Sequence, residues 1–99
     1  MNVVNKLAIE IINDYINYLE FIFEREKYEY TLEQKSYSMW IANETIKVVR
    51  FNPNTPPLMT IERFRNKIEE YSHMNKKSDF IFSTALETVD NIIDILISS

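Results

Sequence analysis

Residues 2–27, NVVNKLAIEIINDYINYLEFIFEREK, decide the fold. Lys6, Glu10, Asn13, Asp14, Asn17, Glu20 and Glu24 recur mostly at steps of three and four and draw one narrow polar stripe. That is the period of an α-helix, not the alternation of a strand. Val4, Leu7, Ala8, Ile11, Ile12, Tyr15, Ile16, Leu19, Ile22 and Phe23 fill the rest of the wheel. Their arc covers well over half the circumference, whereas a helix at the corner of a monomeric bundle needs a stripe only ~100° wide. The stretch therefore predicts a helix that is either central in the bundle or covered by a second copy of the chain. Val4, Ile12, Ile16 and Phe23 are the positions that broaden the apolar surface.

Outward from this helix, Thr31 and Gln34 have the spacing of a capping box. They open a second helix expected to reach about Arg50, with Tyr37, Trp40, Ile41, Val48 and Phe51 on one face. The rival reading of the same stretch is a hairpin over residues 38–51. Ser38–Ala42 and Thr45–Phe51 would be its strands, with β-branched Ile46, Val48 and Val49 in the second. The coherent helical face, and the lack of a glycine to turn a hairpin, favour the helix. Pro53 ends it. Thr55 or Thr60 is expected to cap a third helix with Pro56 in its first position, carrying Leu58, Ile61, Phe64, Ile68 and Tyr71 to about Met74. Asn75 is its expected terminator, and Ser78 the cap of a last helix. That helix turns Phe82, Ala85, Leu86, Val89, Ile92, Ile93 and Leu96 inward and Glu87, Asn91, Asp94 and Ser98 to water. The expected fold is all-α, an up-down-up-down four-helix bundle in one domain of residues 1–99.

Composition excludes several chemistries. The chain has no glycine, so it has no glycine-rich phosphate loop and no dinucleotide fingerprint. It has no cysteine, so disulfides and thiolate metal sites are absent. Apolar residues make up 45% of the chain and aromatics 13%, enough for a core and unlike a disordered tail. A net charge of −4 disfavours binding nucleic acid over the whole surface but allows a local basic patch. No signal peptide or membrane span is evident, so a cytoplasmic protein is expected. The wealth of Ile, Asn, Lys and Tyr fits an AT-rich coding sequence of the kind found in low-GC bacteria.

Four constellations bear on function. Glu70 and His73 have the Glu-x-x-His spacing of dimetal carboxylate bundles, but a single histidine would need a symmetric dimer to complete such a site. Both point away from the apolar face, where His73 is expected to pair with Glu69. No metal or other cofactor is expected. Seven residues separate Arg65 from His73, more than in the Arg–His motif of the HEPN helical nucleases, which are similar to this chain in size. Between Lys47 and Lys77, seven basic residues face three acidic ones. Arg50, Arg63, Lys67, Lys76 and Lys77 are the candidate surface of that belt for phosphate or an acidic partner. Finally, Glu44 and Arg65 each fall on the apolar face of their helix. They lie at matching depths from the proline loop and are expected to form a structural ion pair. The functional expectation is a non-catalytic helical protein–protein interaction or regulatory module, homodimeric through its first helix. A nucleic-acid-binding regulator using the belt at 47–77 and a metal-dependent enzyme assembled across a dimer are the alternatives.

Overall fold

The computed structural model describes residues 2–26, 29–74 and 79–99. They form four helices: α1 (Val3–Arg25), α2 (Leu32–Phe51), α3 (Pro57–Met74) and α4 (Asp79–Ser98). No strand occurs among the described residues, and the hairpin alternative over 38–51 gives way to continuous α2. The protein is an all-α four-helix bundle.

Side chains close most of the described helix ends. Asn2 Oδ1 accepts from the Asn5 N–H at 2.8 Å and starts α1. Thr31 Oγ1 accepts from the Gln34 N–H at 3.1 Å while Gln34 Oε1 accepts from the Thr31 N–H at 2.9 Å, completing the capping box. The start of α3 differs from expectation. Pro57 is its first residue, and neither Thr55 nor Thr60 is its cap. Two consecutive prolines set the entry, and the Pro56 carbonyl accepts from the Thr60 N–H at 3.1 Å. The expected terminator Asn75 and cap Ser78 lie outside the described residues.

The end of α2 shows how a chain without glycine stops a helix. Its cap residue Asn52 has φ −123° and ψ 63°, so no left-handed residue turns the chain. The last carbonyls, orphaned in any helix, are met by side-chain amides instead. Asn52 Nδ2 donates to Val48 O at 2.7 Å. Asn5 Nδ2 reaches across from α1 to Val49 O at 3.4 Å and Asn52 O at 3.2 Å. Asn2 Nδ2 donates to Pro53 O at 2.9 Å. Two asparagines in the first turn of α1 thus pin the C-terminal end of α2, which also fixes the two helices as antiparallel.

The core gathers Ile12, Ile16 and Leu19 of α1, Ile41, Ile46 and Val49 of α2, Ile61 and Ile68 of α3, and Ala85, Val89 and Ile92 of α4. α2 and α4 are the central pair, with α1 packed chiefly on α2 and α3 chiefly on α4. The result is a slab of 39 × 35 × 20 Å. Two expectations change here. First, α1 is a flanking helix, not the centre of the bundle. Second, the buried face of α2 is Ser38, Ile41, Ala42, Thr45, Ile46 and Val49, while Trp40 and Phe51 are exposed. That face lies roughly a third of a turn from the expected one at 100° per residue. Small side chains mark the difference: Ser38, Ala42 and Thr45 are buried, and Ser38 Oγ lies 3.1 Å from Thr88 Oγ1 of α4. Helix axes approach closely only where such residues line the contact.

Candidate functional site

The outer face of α1 is the first candidate. The polar stripe from Lys6 to Glu24 is exposed, and Ala8, Ile12, Tyr15, Ile16 and Leu19 face the core. Beyond them a second apolar stripe stays in water: Val4 is 62% exposed, Leu7 52%, Tyr18 56% and Phe21 60%. Ile12 and Ile16, expected to broaden the surface, are spent on the core, and Phe23 is half-buried. The surplus comes from Val4 and Leu7, with Tyr18 and Phe21 added. Val4, Leu7, Ile11, Asp14, Tyr18, Phe21 and Arg25 alternate at three- and four-residue steps, the spacing of a coiled-coil seam. The seam holds one acid, Asp14, and one base, Arg25, whose guanidinium sits 5.9 Å from the Phe21 ring centroid.

The second candidate is a cleft of about 420 Å³ between α1 and α4, floored by α2. It exists because α1 rests mainly on α2 and touches α4 little. Its floor is polar and buried. Thr88 Oγ1 donates to the Thr84 carbonyl at 2.8 Å and lies 3.1 Å from Ser38 Oγ. On the α1 wall, the Tyr15 phenol oxygen accepts from Asn91 Nδ2 at 3.3 Å. Burial raises the Tyr15 pKa above its ordinary value. The Asn91 hydrogen bond opposes this, and the nearby Glu87 carboxylate adds to it. Tyr18, Phe23 and Tyr30 supply aromatic surface, and Glu87 and Asp94 stand on the α4 side. Among the described residues, no lysine or arginine lines the cleft.

A third, nearly all-apolar cleft of about 340 Å³ lies between α2 and α3 over α4, walled by Tyr37, Trp40, Phe64 and Tyr71. Trp40, read from sequence as a core residue, stands on its rim, 57% exposed.

Among the described residues of the basic belt, Arg50 stands apart from Arg63 and Lys67. Arg63 and Lys67, one helical turn apart, line a shallow cleft with Val48 and Asn52. Arg50 is exposed but leaves α2 on the side opposite Val48. Lys76 and Lys77 lie outside the described residues.

The expected Glu44–Arg65 ion pair does not form. Arg65 Nε donates to Asp90 Oδ1 at 2.6 Å and Nη1 to Glu69 Oε2 at 2.6 Å. The Asp90 bond first and the Glu69 bond second raise the guanidinium pKa. Glu44 instead accepts from Lys47 Nζ at 3.1 Å, three residues along its own helix. Matching depth was not enough: α3 turns Arg65 toward α4, not α2. Glu69 is thereby taken, so it is Arg65 and not His73 that it serves. Among the described residues, no three His, Asp or Glu side chains are grouped to hold a metal ion.

No family model, curated protein or solved structure matches the chain. Among the described residues, no helix is long and apolar enough to cross a membrane. Sequence reasoning missed the polar cleft, because Asn91 and Glu87 were assigned to plain solvent and Ser38 and Thr88 to no role. The signal was present as Thr84, Thr88 and Asn91, small polar residues at helical spacing beside the apolar face of α4.

Proposed function

We propose that this chain is a small non-catalytic interaction module that acts as a homodimer through the outer face of α1. One observation carries the reading: an apolar seam with coiled-coil spacing on a helix whose other apolar face is already used by the core. Exposed apolar stripes of this kind mark interaction sites. A two-fold pair buries the same patch twice and needs only self-complementarity. The C-terminal half of the seam supplies it, with Tyr18 and Phe21 flanked by Asp14 and Arg25 of opposite sign. An antiparallel pair centred between Tyr18 and Phe21 sets Asp14 of each copy against Arg25 of the other. The metal-enzyme alternative lacks support at the residue level: among the described residues no three His, Asp or Glu side chains are grouped to hold a metal ion.

Sedimentation equilibrium of the wild type and of Tyr18→Glu tests this. The wild type is expected to be dimeric at micromolar concentration. Losing one buried side chain of this size, at about 1.5–3 kcal/mol, weakens association about tenfold or more. A wild type that stays monomeric throughout that range, or a Tyr18→Glu protein that dimerises equally well, contradicts the proposal.

A further inference from the structure

The cleft between α1 and α4 has features that a packing defect would not. Its volume, about 420 Å³, is that of a small-molecule site. It runs along α4 from Thr84 to Ile95, about 16 Å at 1.5 Å per residue. Its floor and walls offer oxygen acceptors: the hydroxyls of Ser38, Thr84 and Thr88 and the phenol of Tyr15. Ser38 and Tyr15 are each 8% exposed, so these polar groups are buried at the bottom of an open groove. The Tyr15 hydroxyl accepts from Asn91 at 3.3 Å.

Charge selects the ligand. Among the described residues, the lining includes the carboxylates of Glu87 and Asp94 and no cationic side chain. An anion would meet repulsion and no positive partner. Glu87 and Asp94 lie on one face of α4, two turns apart, about 10 Å along the axis. Opposite them, Tyr18, Phe23 and Tyr30 present aromatic surface that both attracts cations and packs methylenes. A ligand that satisfies all of this is long, thin, cationic at both ends and aliphatic between.

We infer that the α1–α4 cleft binds a linear aliphatic polyamine, with its ammonium groups on Glu87 and Asp94 and its methylene chain along the aromatic wall. The cleft shares Tyr18 with the α1 seam, but Glu87, Asp94 and the rest of its lining lie off the seam, and the proposal does not depend on the dimer.

Titration calorimetry with spermidine at low salt tests it, using the full chain. One saturable site per chain is expected, with a shorter diamine such as 1,4-diaminobutane binding more weakly because it cannot reach both carboxylates. Glu87→Gln combined with Asp94→Asn is expected to weaken spermidine by about tenfold or more. Both side chains are exposed, so the fold should survive, and circular dichroism checks it. The control is Glu10→Gln with Glu20→Gln, which removes the same charge from the polar stripe of α1 and should leave binding unchanged. No saturable binding, or equal weakening by both double variants, overturns the proposal. The second outcome would mean attraction to an acidic protein in general.

Discussion

Asn5 is the residue on which the glycine-free design turns. Its side chain is 1% exposed, and its amide group serves two carbonyls at the end of α2. Its own Oδ1 is buried without a partner among the described residues, a further cost that only a side chain with a structural task would justify. Asn5→Ala leaves Val49 O and Asn52 O without that donor. A loss of about 1–3 kcal/mol is expected. The exposed Asn2→Ala should lose less, about 1 kcal/mol for a cap. Urea denaturation of the two variants checks the order, and a cost at Asn2 equal to or above that at Asn5 contradicts it. Tyr15 gives a second test. Its folded pKa is raised, so the folded state holds the phenol proton more tightly than the unfolded chain. That contribution is complete below the unfolded value, about 10, and is lost as pH climbs through the folded one. The wild type should therefore lose more stability than Tyr15→Phe between pH 9 and 11, read as Tm; parallel curves would contradict the assignment. Arg65 bears on stability less than its two partners suggest. Its side chain and both carboxylates are substantially in water, so Arg65→Met should cost only about 0–1 kcal/mol per pair lost.

The helices themselves were legible where apolar residues are large and periodic. The stripe from Lys6 to Glu24, the capping box at Thr31 and the apolar face of α4 all stand where the sequence places them. What failed was the facing of α2. Its large residues Tyr37, Trp40 and Phe51 suggested one face, whereas the packed face is marked by Ser38, Ala42 and Thr45. Periodicity weighs residues by hydrophobicity, but two helices that cross closely are held by small ones, and Ser and Thr score as polar. Thr45 completes its own hydrogen bond to Ile41 O at 2.8 Å, which lets a hydroxyl sit in the core at no unmet cost. The same blindness hid the cleft, whose floor is Ser38 and Thr88. It also misplaced the Arg65 pair, because register along a helix says nothing about which neighbour lies across from it. Ala42 is fully buried on the packed face of α2. Ala42→Leu should overpack this face and cost about 1–3 kcal/mol. A variant of unchanged stability in urea would mean that this face of α2 is less closely packed than described.

At the scale of the molecule, a slab 20 Å thick has little interior for its surface. The central α2–α4 pair is covered on both flanks, while α1 keeps a full apolar stripe in water. The whole arrangement makes sense if that stripe is an interface. Asp14 then sits in a seam otherwise apolar as far as Phe21, where a charge lowers stability but helps to fix the register. Asp14→Leu should alter the register while keeping association. The absence of cysteine makes the most direct measurement clean, since a single introduced thiol reports on its own position alone. The rate at which an aqueous disulfide reagent modifies Tyr18→Cys is compared with that of Asn13→Cys, on the polar stripe, at nanomolar and micromolar protein. If α1 pairs with a second α1, the thiol at position 18 is slowed as concentration rises and the one at position 13 is not. Equal, concentration-independent rates at both positions would show the seam to be bare and would contradict the account.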